Sequence, residues 1–177
     1  MTREIHQPAN TAKDFDSWNI VKKQLDKRKR TPQFNERDIW WCQIGINVGF
    51  EQDGKGEIYS RPVLILSRIN EWMFFGIPLT SKDKEGYFYI KVGEIEPGVT
   101  STAILSQARI FSANRLVERI GTIGGKKFLA IRDSTAKKIL KVSSPRISTR
   151  GVAPNGDLCP NCTKPSAKNQ DHERATK

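Results

Sequence analysis

Apolar residues Phe15, Trp18, Val21 and Leu25 recur at three- and four-residue spacing over residues 15–29, the period that lines one face of an α-helix. Asp14 or Asp16 stands where an N-cap belongs, and Lys27-Arg28-Lys29-Arg30 falls in the last turn, where cations suit the helix dipole, before Thr31-Pro32 stops the helix. That basic run reads either as a solvated helix end or as a phosphate contact. Downstream the pattern becomes that of β-strands: residues 37–44 (RDIWWCQI), 61–68, 72–79, 86–92 and 102–106, the last continuing through Phe111, then a short strand over 115–120 that the glycines of 121–125 break. Adjacent Trp40 and Trp41 must face opposite ways, one into the core and the other toward a second layer such as the N-terminal helix, through Trp18. Phe128, Ile131, Thr135, Ile139 and Leu140 make an apolar stripe that predicts a second helix over 126–142. Several short strands with a helix at each end predict a mainly β fold, a small β-barrel with helices packed outside it.

Outside this region the periodicity vanishes. Residues 1–13 read as a disordered lead and residues 143–177, with Pro145, Pro154, Pro160 and Pro165 and almost no large apolar side chains, as a disordered basic tail. That leaves 14–30 for the amphipathic helix and 31–142 for the barrel with its C-terminal helix. A chain of 177 residues can bury a core of this kind without disulfides. No apolar run reaches the length of a membrane span and the N-terminus lacks a secretory hydrophobic segment, so a cytoplasmic protein with no membrane partner is expected.

The net charge of +11 points to a polyanion partner. Its distribution narrows that reading: eight basic against four acidic residues in 1–30, 13 against 12 in 31–136, and nine against three in 137–177. A nearly neutral barrel has to bind through individually placed cations rather than a general positive field. Cys42, inside an apolar strand, reads as a small buried hydrophobe. Cys159-Pro160-Asn161-Cys162 is half of a zinc-knuckle pattern, and with only distant His172 to add it cannot complete a four-ligand site.

Both histidines, His6 and His172, lie in the end segments, so imidazole acid/base pairs and Ser-His or Cys-His nucleophiles are excluded from the patterned region. No P-loop or dinucleotide fingerprint is present, and no cofactor or metal is indicated. What remains is Arg, Thr, Ser, Gln and Glu, a set suited to holding phosphate charge. It concentrates in residues 47–81. A polar, glycine-bearing loop over 47–60 delivers Arg61-Pro62 into an apolar run, and a second run ends in Thr80-Ser81-Lys82. Two short runs joined by so brief a connection form a hairpin, which brings Arg61 and Thr80 to the same end of the sheet. On residue chemistry alone, Arg61 also reads as a rim salt-bridge partner of Glu51 or Asp53, Thr80 as a plain strand-end residue, and Gln107 and Arg109 as a solvated strand face.

The blocks G-x-E-Q at 49–52, R-P-V-L at 61–64, P-L-T-S at 78–81, Gln107-x-Arg109 and Arg115-Leu116 follow one another in one order. From about Glu36 to Leu140 the chain resembles the MazF/PemK family of toxins from bacterial toxin–antitoxin modules. The N-terminal helix and the tail lie outside the resemblance. It implies an SH3-like barrel of the MazF/CcdB type, a homodimer, and a sequence-specific, metal-independent endoribonuclease. Such an enzyme cleaves single-stranded RNA through a 2′,3′-cyclic phosphate, is silenced by a cognate antitoxin, and binds DNA as the toxin–antitoxin complex. The resemblance makes Arg61 and Thr80 the catalytic pair, with Glu51 a candidate base. Gln52, Gln107 and Arg109, with Ser81, Lys82 and Lys84 following Thr80, are implied to bind RNA. Two departures stand out: extra residues around 57–60, and Phe111 and Ser112 where some relatives carry an acid. The alternatives are a non-catalytic poison on the same barrel, as in CcdB toxins, and an inactive MazF-like binding module. The C-terminus here, Glu-Arg-Ala-Thr-Lys, lacks the aromatic end of the CcdB type.

Overall fold

The computed structural model describes residues 12–142. Residues 1–11 and the basic tail with its Cys159/Cys162 pair lie outside the described residues. Helix α1 (Phe15–Asp26) is capped by the Asp14 carboxylate, which accepts the Ser17 N–H at 2.9 Å. It buries Trp18 and Leu25, two positions seven residues apart and therefore on one face. The helix ends three residues earlier than its period predicts. Lys27-Arg28-Lys29-Arg30 consequently leaves the helix, and Arg28 turns back to donate to the carbonyls of Asn114 (2.8 Å) and Leu116 (3.1 Å). One cation of the basic run is thus a fastener between the helix and the sheet.

The strands are β1 (Asp38–Gln43), β2 (Ser60–Arg68), β3 (Met73–Thr80), β4 (Tyr89–Glu96), β5 (Val99–Ile104), β6 (Arg109–Ser112) and β7 (Leu116–Thr122), followed by helix α2 (Gly125–Lys138). They form one antiparallel sheet in the order β4-β5-β3-β2-β1-β7, with β6 also paired to β3. Register shifts in β1, β2 and β4 bend the strands, as bulges do, and the sheet curls into a half-barrel.

Residues 102–111 do not run as one strand. A 3-10 turn, Leu105–Gln107, interrupts them. Leu79 pairs with Ala103 and Gly76 with Arg109, so three residues on β3 face six on its partner, and the turn takes up the excess. The fourth strand starts at Tyr89, not Gly86, which leaves exposed Tyr87 and Phe88 in the β3–β4 connection. The last strand reaches Thr122, and α2 stops at Lys138 with Leu140 exposed.

Alternation along β2 feeds two cores. Leu64 and Leu66 point into a cluster with Ile39, Ile77, Leu79 and, from α2, Phe128 and Ile131. Val63 and Ile65 point into another with Phe34, Trp40, Cys42, Phe74 and Leu116. A strand buried on both faces has little freedom to slip its register. Complete burial pushes the Cys42 thiol up to about 12, which makes it the small hydrophobe expected. The tryptophans separate as the pleat requires: Trp40 is buried, and Trp41 is half-buried beside Arg61. Trp18 packs elsewhere, with its indole in the space a Cβ on Gly45 would take and edge-on to Tyr59 at 5.5 Å between ring centroids.

Candidate active site

Val63 pairs with Pro78 across β2 and β3, so Arg61, near the start of β2, and Thr80, at the end of β3, lie at the same end of the strand pair. Both are buried, at 7% and 5% exposure. Arg61 donates from Nε to the Asp53 carbonyl at 2.9 Å and from Nη1 to the Leu79 carbonyl at 3.1 Å. Two anchors at different nitrogens fix the guanidinium plane. Nη2 has no protein partner among the described residues. Burial lowers the Arg61 pKa and the negative charge of Asp53 opposes that shift; a guanidinium still remains charged near neutrality. The alternative reading of Arg61 as a salt-bridge partner of Glu51 or Asp53 is not what the fold shows among the described residues, since it is the backbone carbonyl of Asp53 that accepts.

Thr80 Oγ1 accepts the Lys82 N–H at 3.2 Å, which leaves its own hydroxyl hydrogen to donate. Beside Arg61 lies a cavity of about 370 Å³ walled by Trp41, Ile58, Pro62, Leu79 and Val99, with Ser81 on its edge. Lys82 and Lys84 are exposed in the β3–β4 connection, where the Lys84 ammonium lies 5.5 Å from the Tyr89 ring centroid.

The loop over residues 44–60 is held by its own backbone. Gly54 N–H donates to the Gly45 carbonyl at 2.7 Å and Gly45 N–H to that of Tyr59 at 3.1 Å. The carbonyl of Tyr59 comes so near Gly54 that a Cβ there would sit 1.8 Å from it. The extra residues around 57–60 are pinched into a tight turn, with Lys55 and Ser60 bridged and Tyr59 at φ 51°.

Gln107, brought outward by the 3-10 turn, accepts the Gln52 N–H at 2.9 Å and donates to the Phe50 carbonyl at 3.3 Å. Arg109 donates to Asn47 Oδ1 and to the Ile44 carbonyl, each at 3.3 Å, and stands 3.9 Å from the Glu51 carboxylate. Two of the residues expected to meet RNA therefore spend donors on the loop that carries Glu51 and Gln52. Glu51 is exposed and lines a groove beside α1 with Phe15, Trp18 and Val48, not the cavity at Arg61.

Two further residues, Asp53 and Arg115, complete the arrangement. Asp53 is the junction: its carbonyl receives Arg61, and its carboxylate accepts the Asn47 N–H at 2.6 Å and pairs with Lys13 at 2.8 Å. Arg115 donates to the Gln43 carbonyl at 2.9 Å and lies over the Trp18 ring, 5.6 Å from its centroid. The arrangement offers one fixed guanidinium, one hydroxyl and a polar loop at a shared rim, a donor set suited to an oxyanion of phosphorus. Among the described residues no group of three or more His, Cys, Asp or Glu side chains lies together as metal ligands would.

A family model described as the PemK-like, MazF-like toxin of type II toxin-antitoxin systems matches residues 35–139, more than half of the chain. No curated protein matches. Among solved structures, the Form-I crystal structure of MazF from Deinococcus radiodurans superposes with a TM-score of 0.52 at 19% identity, covering 64% of this chain and 100% of that one. An endoribonuclease in complex with its cognate antitoxin, from Mycobacterial species, gives 0.49 at 13% identity, with 64% and 100% covered. The Mycobacterium tuberculosis toxin MazF-mt6 gives 0.48 at 16%, with 61% and 100% covered. At 19% identity the likeness to the Deinococcus structure is one of fold, and it matches the mainly β architecture expected from the strand pattern.

Proposed function

The chain belongs to the PemK-like, MazF-like toxin family of type II toxin–antitoxin systems, and on that premise we propose that it is a toxin that cleaves single-stranded RNA at particular sequences without a metal ion, leaving a 2′,3′-cyclic phosphate. The observation that carries this reading is Arg61, buried near the start of β2 at the end of the strand pair where β3 finishes in Thr80, with its plane fixed by the Asp53 and Leu79 carbonyls. RNA brings its own nucleophile, the 2′-hydroxyl, so the protein has to align it, hold the charge gathering on the scissile phosphate and assist two proton transfers. Arg61 holds that charge and protonates the departing 5′ oxygen. A guanidinium keeps its proton far above neutral pH, which disqualifies it as a base. Thr80 donates its hydroxyl to a phosphate oxygen.

Glu51 takes the 2′-hydroxyl proton. One long ion pair to Arg109 restrains it, so its exposed side chain is able to turn from the α1 groove toward bound RNA. Gln52, Gln107 and Arg109 shape the loop edge of the RNA path, and Ser81, Lys82 and Lys84 the opposite edge. We further propose a homodimer whose RNA groove spans both subunits, and an acidic antitoxin segment that occupies the groove. Among the described residues no helix is long and apolar enough to cross a membrane. Action in the cytoplasm is part of the proposal.

The test is incubation of the purified chain with a long RNA mixture in excess EDTA, followed by analysis of the ends. Discrete cuts bearing 2′,3′-cyclic phosphates are expected. Intact RNA, or cleavage abolished by EDTA, would overturn the reading.

A further inference from the structure

Residues 12–34 precede the segment that matches the family, yet they are fastened to the loop beside Arg61. Helix α1 is pinned along its length. Near its start Trp18 fills the space against Gly45 and Tyr59 at the loop's base. At its end Arg28 donates to the Asn114 and Leu116 carbonyls, and the Asn114 amide donates back to the Leu25 carbonyl at 3.2 Å. A helix held at both ends carries to a fixed place the residue just before its cap Asp14, and that residue is Lys13.

The Lys13 ammonium has three hydrogens and three acceptors: the Asn47 carbonyl at 2.7 Å, the Gly49 carbonyl at 3.2 Å and the Asp53 carboxylate at 2.8 Å. Its side chain is only 25% exposed. These acceptors come from both limbs of the loop, Asn47 and Gly49 on the descending one and Asp53 on the ascending one. Between them sit Glu51 and Gln52. The ascending limb also meets Arg61, through the Asp53 carbonyl. An exposed ion pair by itself fixes little, but three acceptors around one ammonium, two of them backbone carbonyls, define a position.

We propose that Lys13 is a positioning residue for RNA cleavage: by tying both limbs of the loop to α1 it sets the Asp53 carbonyl that orients Arg61, so the segment ahead of the family domain is part of the catalytic apparatus. The proposal rests on the reading of Arg61 as catalytic. Lys13 itself touches no reacting atom. Its effect reaches the chemistry only through Asp53, and a guanidinium freed to rotate has to be re-oriented in every turnover.

The experiment uses the full chain carrying Lys13→Met, which keeps the stem and removes the charge, and Lys13→Arg, which keeps charge and donors. Amide hydrogen exchange without RNA, single-turnover cleavage at saturating and sub-saturating RNA, and thermal melting are measured on each. Lys13→Met should exchange about tenfold faster over residues 46–54 while the amides of β1, β2 and β3 stay unchanged. Its rate at saturating RNA should fall about tenfold, its melting temperature should hold, and Lys13→Arg should recover both loop protection and rate. Unchanged exchange over 46–54 overturns the clamp. Faster loop exchange with an unchanged rate overturns the positioning role, as does a rate that falls only in step with global melting. If the unaltered chain fails to cut RNA, the functional reading fails, and the exchange result still decides whether Lys13 holds the loop.

Discussion

The side-chain oxygen of Gln107 accepts the backbone N–H of Gln52 at 2.9 Å across 55 residues of sequence. With the second bond, from the Gln107 amide to the Phe50 carbonyl, the 3-10 turn between β5 and β6 becomes a latch on the loop. Each neutral bond of this kind contributes about 0.5 to 1.5 kcal/mol net. Gln107→Ala should therefore make opening of residues 50–53 easier by about 1 to 2 kcal/mol, read as faster amide exchange there, and should weaken RNA binding. Gln107→Glu, which keeps an acceptor for Gln52 and loses the donor to Phe50, should fall between.

Arg61→Ala removes the donor proposed to face the phosphate. Loss of one such donor costs about 3 to 4 kcal/mol, roughly a hundredfold to a thousandfold in rate, and single-turnover cleavage should drop at least that far. Arg61→Lys should not restore it, because a point charge lacks the planar two-pronged grip. Thr80→Ala should lose less. Since Arg61 also satisfies two buried carbonyls, melting is followed alongside the rate. Cleavage by Arg61→Ala at the unaltered rate would show that the site is elsewhere.

Gly45 has φ +86°, and a Cβ there would lie 2.1 Å from the Trp18 ring. Gly45→Ala should displace α1 and cost about 1 to 3 kcal/mol, the usual range for overpacking, measured by denaturant unfolding and by the indole emission. Gly121 has open space where its Cβ would go, so Gly121→Ala is the control and should be nearly neutral.

Asp38 gives a pH dependence of definite sign. Burial alone would raise its pKa, but hydrogen bonds from Thr122, the Asn35 N–H and Arg119, together with the charge of Arg119, outweigh burial and lower it. The carboxylate is therefore more acidic folded than unfolded, where its value is about 3.9. Its stabilisation is complete above that unfolded value and is lost as pH falls through the lower folded one. Asp38→Asn should flatten the acid limb of a stability profile measured from about pH 5 downward. An acid limb as steep as that of the unaltered chain would refute the assignment.

Much of this organisation is local and was legible in the residues. Short apolar runs rich in β-branched and aromatic side chains announced β1, β2 and β3. The four residues between Arg68 and Met73 imposed a hairpin, and antiparallel pairing then forced Arg61 and Thr80 to one end of the sheet. Asp14 and the Trp18–Leu25 spacing announced α1. Breaks within patterns were harder to read. Leu105-Ser106-Gln107 carries no Gly or Pro, and its 3-10 turn follows from β3 pairing with β5 and β6 in different registers, a condition set by the partner strand.

The contacts that Asp53, Lys13 and Arg28 actually make had no signal in the sequence. Lys13 lies 40 residues from Asp53, and Arg28 lies 86 from Asn114. A charged side chain on a polar stretch has no periodicity to betray its partner. Sequence chemistry offered Asp53's carboxylate to Arg61, but the folded loop presents the carbonyl and turns the carboxylate to Lys13. The chain by itself determined which groups reach the rim, because strand pairing depends on local pattern. Which atoms hold them there was decided only by the tertiary fold, because a hydrogen bond depends on direction and on a few tenths of an ångström that no spacing of residues encodes.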